Sequence, residues 1–494
     1  MNKFKNIIYY FLVCLFISFG IFLRTKAYIF DNVFEDDECR LIVSMMANNI
    51  WQMFEPLGPW SSSPLFMFIS KIIADFSDYS ERALKFLPYV TSLISIIFFY
   101  KLSLKMFTQK ASRLFALFLF ASSMPAIFFS ATFKQYELEL LIGILCLYYL
   151  PEINILKLNT KQLVTFSFIL AILPLISLPS VFYIGTFVLI NICINKNHLK
   201  ELFKKVFVLL SPFIIIITFY YLYNLAPAKA YQMAFYKSEW NNFYSLNLLD
   251  VFANNLKYFF WGCNYVMFLF ILLITSVIIV CTNKNQQRKI DIFIIILFAS
   301  NLLAQILHLY PFMGRIVLHL IPAFVYLTVK PLESFNKNSL SFYVILLIAL
   351  AGFHEYFIPQ KFLENVYYYP ENMVFWSPDK LMKQISENFS PKNDKILVNE
   401  ASVFSYYVYA KKYNIPDYLN IKTVIETQEK EKSIADAINN IEQNKNYWLY
   451  IVKDFSRDQD AENISKWADK QTVKFYMKDK SSTLYYIVPP YTKY

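Results

Sequence analysis

Apolar runs of about 15 to 20 residues, set apart by short polar connections, dominate the first three quarters of the chain. They fall at 7–23, 86–100, 114–130, 136–150, 163–176, 181–194, 206–225, 265–281, 290–307, 316–329 and 342–358. Crossing a hydrocarbon core of about 30 Å takes roughly 20 helical residues, and backbone groups facing lipid must be paired within the segment. The pattern therefore predicts a polytopic α-helical membrane protein with about eleven transmembrane helices. The first run follows Lys3 and Lys5, as a signal peptide would. It lacks a small-residue cleavage site before "RTKAYIFD" and is expected to stay as an uncleaved helix.

Three stretches are too long to be connectors. In 24–85, "ECRLIVSMMANNIWQMF" and "SPLFMFISKIIADF" are apolar on one side and predict interfacial helices. The stretch 226–260 is rich in Tyr, Phe and Trp with scattered Lys and Asn, which suits the membrane–water boundary. From 359 to 494, strand-like "KILVN", "NYWLYIV", "VKFYM" and "LYYIV" alternate with helical "SVFSYYVYAKKY" and "EKEKSIADAINNIEQN". That alternation predicts a soluble α/β domain after a membrane domain of residues 1–358.

Charge sets the orientation, because Lys and Arg stay on the cytoplasmic side. Alternate loops are basic: "KLSLKMFTQKASR", "NKNHLKELFKK" and "NKNQQRK". The amino terminus is thus expected in the cytoplasm and, with an odd span count, the C-terminal domain outside. The net charge of +11 is accounted for mostly by these loops and calls for no nucleic-acid partner. Hydrophobic residues make up 57% of the chain and aromatic residues 19%, far from a soluble composition. Cys14, Cys39, Cys146, Cys193, Cys263 and Cys281 form no CxxC pair, so neither a zinc site nor a disulfide framework is expected.

Candidate chemistry lies in three stretches. "FEDDECRL" places Glu35, Asp36, Asp37 and Glu38 side by side just outside the first span. Mutual repulsion favours proton uptake by one of them, which suits a general base, and the group also suits a divalent cation. The structural alternative is a helix start with Asp36 as N-cap and Asp37 and Glu38 in the first turn. "SATFKQYELELL" sets Lys134, Gln135, Glu137 and Glu139 between apolar runs, where ionisable groups are costly. Lys134 can neutralise a phosphate; alternatively it pairs with Glu137 at helical spacing or snorkels to the interface. "HLYPFMGRIVLHLIP" predicts a tight external turn at Pro311 and Gly314, with Arg315 opening a helix and His319 one turn on along the same face. Arginine grips phosphate through two parallel hydrogen bonds, or anchors a helix at the interface. His308 and His319 are expected as packed, hydrogen-bonded side chains rather than metal ligands.

Taken together these residues resemble the GT-C glycosyltransferases, in particular the bacterial branch similar to protein O-mannosyltransferases and lipid A aminoarabinose transferases (glycosyltransferase family 39-like). The resemblance rests on an Asp-Glu pair in the first external loop (Asp37 and Glu38 in "DDECRLIVSMM"), a proline-bearing motif ("SSSPLFMFISKI"), "KQY" at Lys134 to Tyr136, and "YPFxGR" at Tyr310 to Arg315. Ser63 or a neighbour replaces a second proline or glutamine common in relatives, and Glu137 and Glu139 stand where an Asp often follows "KQY". The resemblance implies an inverting transferase that moves a hexosyl or pentosyl group from a polyprenyl-phosphate-linked donor to a lipid, glycan or protein acceptor, outside a bacterial plasma (inner) membrane. It implies Asp37 as base, with Glu38 orienting it or the two together binding a divalent metal ion. Lys134, Tyr136, Arg315 and Asp36 would then bind substrate. A donor already across the membrane agrees with the lack of a Gly-rich nucleotide loop. Two competitors share a phosphate-binding cavity: a transporter or flippase of lipid-linked sugars, and a polysaccharide polymerase or ligase. Against the transporter stand the lack of an internal repeat and the long C-terminal domain.

Overall fold

The computed structural model describes residues 2–30, 33–57, 62–236, 255, 288–312, 314–333, 378–399, 402–416, 419–420, 446–452, 465, 468, 472–479 and 482–488. The chain forms two compact units. One comprises Met1–Asp31 and Ile50–Val366, the other Asn32–Asn49 and Tyr367–Tyr494.

The first unit is helical: α1 (Asn2–Phe30), α3 (Pro64–Ser77), α4 (Glu81–Met106), α5 (Lys110–Ala121), α6 (Met124–Phe129), α7 (Tyr136–Tyr149), α8 (Thr160–Ile176), α9 (Ser180–Ile194), α10 (Leu199–Tyr220), α11 (Ala226–Tyr236), α12 (Arg288–Ile306) and α13 (Ile321–Val329). Among the described residues, four helices are long and apolar enough to cross a membrane: Asn6–Ile29, Glu81–Met106, Lys196–Met233 and Lys289–Ile306. Shorter apolar helices cover Thr160–Ile176, Ser180–Ile194 and Gly314–Val329. On α10, Phe207, Ile214, Ile215 and Phe219 are exposed, as side chains facing hydrocarbon should be. This is a multi-pass membrane protein. The runs expected at 265–281 and 342–358 lie outside the described residues.

Two spans differ from the pattern in the sequence. The run 114–130 is broken at Ser122 and Ser123, where α5 ends and Pro125 enters the first turn of α6. The run 206–225 continues through a π-turn at Tyr221–Leu225 into α11, where Asn224 donates to the Phe54 carbonyl at 3.0 Å. Packing is dominated by α4 with α1, α5 and α7, by α8 with α10, and by α9 with α7 and α12.

The second unit holds α2 (Asp36–Ala47), α14 (Pro378–Asn388), α15 (Val403–Tyr413) and a five-stranded mixed sheet in the order β2-β1-β3-β5-β4. The strands are β1 (Asp394–Val398), β2 (Leu419–Asn420), β3 (Asn446–Val452), β4 (Thr472–Asp479) and β5 (Ser482–Val488). β1 runs parallel to β2 and β3, whereas β3 with β5 and β5 with β4 are antiparallel. Alternation puts Leu397, Tyr447, Leu449, Ile451, Tyr485 and Ile487 into one core cluster. Trp448, Tyr450 and Leu484, between those positions, are buried as well, so β3 is covered on both faces. The helix expected in "EKEKSIADAINNIEQN" lies outside the described residues.

Candidate active site

The acidic run enters α2 through a capping box. Glu35 is the N-cap, in extended conformation, and the Glu38 carboxylate at the third helical position accepts the Glu35 N–H at 2.6 Å. The N-cap is therefore Glu35 and not Asp36, because Glu38 is the one acid three residues downstream of a cap that can close the box. Glu38 is buried, Asp37 half-buried, and the Asp36 side chain lies outside the described residues. Apolar Cys39, Leu41, Ile42 and Met45 of α2 are buried, so this helix packs inside its unit rather than lying on an interface. Its partner is α15: the Phe34 N–H donates to the Tyr409 hydroxyl at 2.8 Å, and the Arg40 guanidinium lies 4.9 Å from the Phe404 ring centre. Glu38 is buried, with its Oε2 engaged by the Glu35 N–H. Among the described residues no group of three or more His, Cys, Asp or Glu side chains is arranged to hold a metal ion.

The second stretch joins two of the motifs. Ser62 donates to the Gln135 Oε1 at 2.8 Å, and the Phe66 and Phe133 rings lie 5.4 Å apart, so the proline-bearing segment and "KQY" are in contact. Lys134 precedes the helix, its N–H bonded to the Thr132 carbonyl at 2.8 Å, and Tyr136 begins α7 with its ring edge-on to Phe129 at 4.7 Å. Both are half-buried. The Lys134–Glu137 surface pair is not formed, since Glu137 is fully buried and neither of its oxygens has a hydrogen-bond partner. The favourable charge nearest in effect to Glu137 is Arg24. Arg24 is itself buried in α1, its guanidinium capping the end of α5 through the Ala121 carbonyl at 2.9 Å and the Phe120 carbonyl at 3.4 Å. The apolar run ends at Leu23, so hydropathy leaves Arg24 just outside the span.

The third stretch is a pinned turn. Gly314 has φ 49°, a left-handed conformation that glycine takes without strain. Its N–H donates to Asn255 Oδ1 at 2.8 Å, and Tyr310 donates to the Ile316 carbonyl at 3.0 Å. Arg315 does not open an α-helix. Residues Gly314–Leu320 form a 3-10 segment with a non-helical kink at Val317. At three residues per turn, a residue four along is rotated by about 120°, which takes His319 off the face of Arg315. Burial agrees: Arg315 is half-buried and His319 fully buried. His319 is packed as expected, its Nδ1 3.3 Å from the Tyr183 hydroxyl. His308, by contrast, is exposed at a left-handed turn (φ 55°), because the chain reverses there before Pro311.

Close packing unites the elements carrying the two cations. The Tyr183 hydroxyl donates to the His319 carbonyl at 2.8 Å, and a Cβ on Gly143 of α7 would sit 2.7 Å from that carbonyl oxygen and 2.8 Å from that hydroxyl. The segments on both sides of Lys134, α6 and α7, pack on Gly314–Leu320, which bears Arg315. Asp37 and Glu38 belong to the second unit. Asn255, Tyr183, Gly143 and Arg24 carry no motif, and hydropathy does not single them out.

No protein-family model matches the sequence, and no curated protein matches it. Solved structures do. The archaeal oligosaccharyltransferase AglB from Archaeoglobus fulgidus, in complex with an inhibitory peptide and a dolichol-phosphate, aligns with a TM-score of 0.50 at 12% identity, over 99% of this chain and 75% of that one. The chain shares the fold of that oligosaccharyltransferase. ArnT from Cupriavidus metallidurans bound to undecaprenyl phosphate also aligns, with a TM-score of 0.48 at 9% identity, over 96% of this chain and 97% of that one. At these identities the likeness concerns the fold alone.

Proposed function

We propose that this GT-C chain is an inverting glycosyltransferase. It takes a sugar from a polyprenyl-phosphate-linked donor and passes it to a lipid, glycan or protein acceptor on the external face of a bacterial plasma membrane. The observation that supports this most is that Lys134 lies in the link between α6 and α7, two helices that both pack on the segment bearing Arg315 in a GT-C-like membrane fold. A dolichol-phosphate accompanies the archaeal structure of that fold, and a lipid phosphate is the ligand two such cations suit.

The chemistry follows from the donor. An acceptor hydroxyl oxygen attacks the anomeric carbon, the bond from that carbon to the phosphate oxygen breaks, and polyprenyl phosphate leaves with the electron pair. Charge grows on the leaving phosphate, and Arg315 and Lys134 stabilise it in the transition state. Tyr136 helps to seat the same phosphate, and Asp36 contributes to acceptor binding. Asp37 takes the hydroxyl proton. Glu38 holds the helix start that carries Asp37. Residues 1–358 make the membrane transferase domain and 359–494 the extracytoplasmic domain, with α2 packed on α15 in the unit that Asn32–Asn49 shares with the C-terminal residues. Mass spectrometry of lipids, glycans and glycoproteins from cells with and without the chain tests this reading. It predicts a sugar missing from one acceptor class and a build-up of its lipid-linked donor; identical profiles would exclude it.

A further inference from the structure

The "YPFMGR" turn is held by a side chain remote in sequence. Asn255, 1% exposed, donates its Nδ2 hydrogen to the Phe312 carbonyl at 2.9 Å and accepts the Gly314 N–H on Oδ1 at 2.8 Å. One amide thus satisfies an acceptor and a donor on either side of position 313, as a backbone peptide would in a ladder. Gln305 Oε1 takes the Phe312 N–H at 2.7 Å, and beyond Arg315 the Tyr310 hydroxyl holds the Ile316 carbonyl.

Three of these bonds end on the backbone leading into Arg315 and the fourth on the residue just after it. Gly314, with no Cβ and a left-handed φ, is the joint about which that arginine would swing. Fixing the Gly314 N–H fixes the peptide ahead of the joint. Only a side chain with both a donor and an acceptor on a short arm does this: aspartate lacks the donor, and glutamine is a methylene too long.

We propose that Asn255 is a positioning residue that sets the Arg315 guanidinium for the phosphate of the lipid-linked donor. This rests on the function proposed above. A displaced guanidinium loses its two-point grip on phosphate, whereas a merely architectural Asn255 would weaken the protein without regard to Arg315.

A double-variant cycle on the full-length protein separates the two, with undecaprenyl phosphate binding followed by native mass spectrometry. Asn255→Ala and Arg315→Ala should each weaken binding by about tenfold to a hundredfold, the scale of a misplaced binding group. The double variant should bind no worse than Arg315→Ala alone. Should Asn255→Ala fail to fold, Asn255→Gln, which keeps both groups on a longer arm, enters the same cycle with the same expectation. Losses that multiply in the double variant, while the wild type binds, overturn the positioning role and leave the proposed function standing. A wild type that binds no undecaprenyl phosphate overturns both.

Discussion

Replacing Gly143 by alanine tests the junction that couples α7 to the segment bearing Arg315. The new Cβ would meet the His319 carbonyl oxygen at 2.7 Å and the Tyr183 hydroxyl at 2.8 Å, both inside van der Waals contact. One of these is backbone, so relief requires α7 or Gly314–Leu320 to move. Overpacking of this kind costs about 1–3 kcal/mol. Loss of the bond from Tyr183 to the His319 carbonyl adds about 0.5–1.5 kcal/mol. Alanine returns about 1 kcal/mol as a better helix former. The net destabilisation is about 0.5–3.5 kcal/mol. Gly185 in α9 supplies the control, since a Cβ there meets nothing within 4 Å and only the helix-propensity gain remains. Thermal unfolding of the purified protein in detergent reads the difference. Gly143→Ala should melt below wild type and Gly185→Ala at or above it. If Gly143→Ala melts with Gly185→Ala, the junction is not packed as described.

Three further outcomes are expected. Arg315→Lys should impair donor binding nearly as much as Arg315→Ala, because an ammonium cannot reproduce the planar two-point contact; near-normal binding of undecaprenyl phosphate by Arg315→Lys would reduce Arg315 to a point charge. Tyr409→Phe removes the acceptor of the buried Phe34 N–H, costing about 1–3 kcal/mol, and should loosen the start of α2, seen as faster amide exchange around Asp37 with transfer slowed; unchanged exchange there would detach α2 from α15. In the sheet, burial first and then the Asp394 carboxylate push the Tyr486 hydroxyl up to about 12 from its ordinary 10.0. The folded state then holds that proton more tightly than the unfolded chain, so its contribution is whole below pH 10 and lost as pH rises towards 12. Tyr486→Phe should flatten that part of the stability profile, and an unchanged slope would disprove the coupling.

What the sequence revealed and what it hid have physical causes. Long apolar periodicity announced α1, α4 and α10, and alternating Tyr, Val and Ile announced β3 and β5, because each reflects burial on one scale. The break at Ser122 and Ser123 was invisible, since hydropathy averages over two serines inside an apolar run. The 3-10 form of Gly314–Leu320 was equally hidden. It depends on bonds from Asn255 and Tyr183, 59 and 136 residues away from their partners in sequence. Asp37, Lys134 and Arg315 stand out in the sequence because their charge is conspicuous beside apolar spans. The sequence places the cap one residue late, at Asp36 instead of Glu35, and gives no sign of Asn255, Tyr183 or Tyr409, whose bonds to distant backbone groups exist only in the folded contacts.

The central claim is that the chain breaks the bond between a sugar and a polyprenyl phosphate. Its most direct test is the release of free polyprenyl phosphate by purified protein given a polyprenyl-phosphate sugar and an acceptor hydroxyl. Release should be slowed on the order of 10²- to 10⁴-fold by Asp37→Asn, which keeps the shape but cannot take the proton. Arg315→Ala should slow release more than it weakens donor binding, since leaving-group charge is greatest in the transition state. Donor recovered intact and merely moved across a reconstituted bilayer would contradict the claim and identify a transporter.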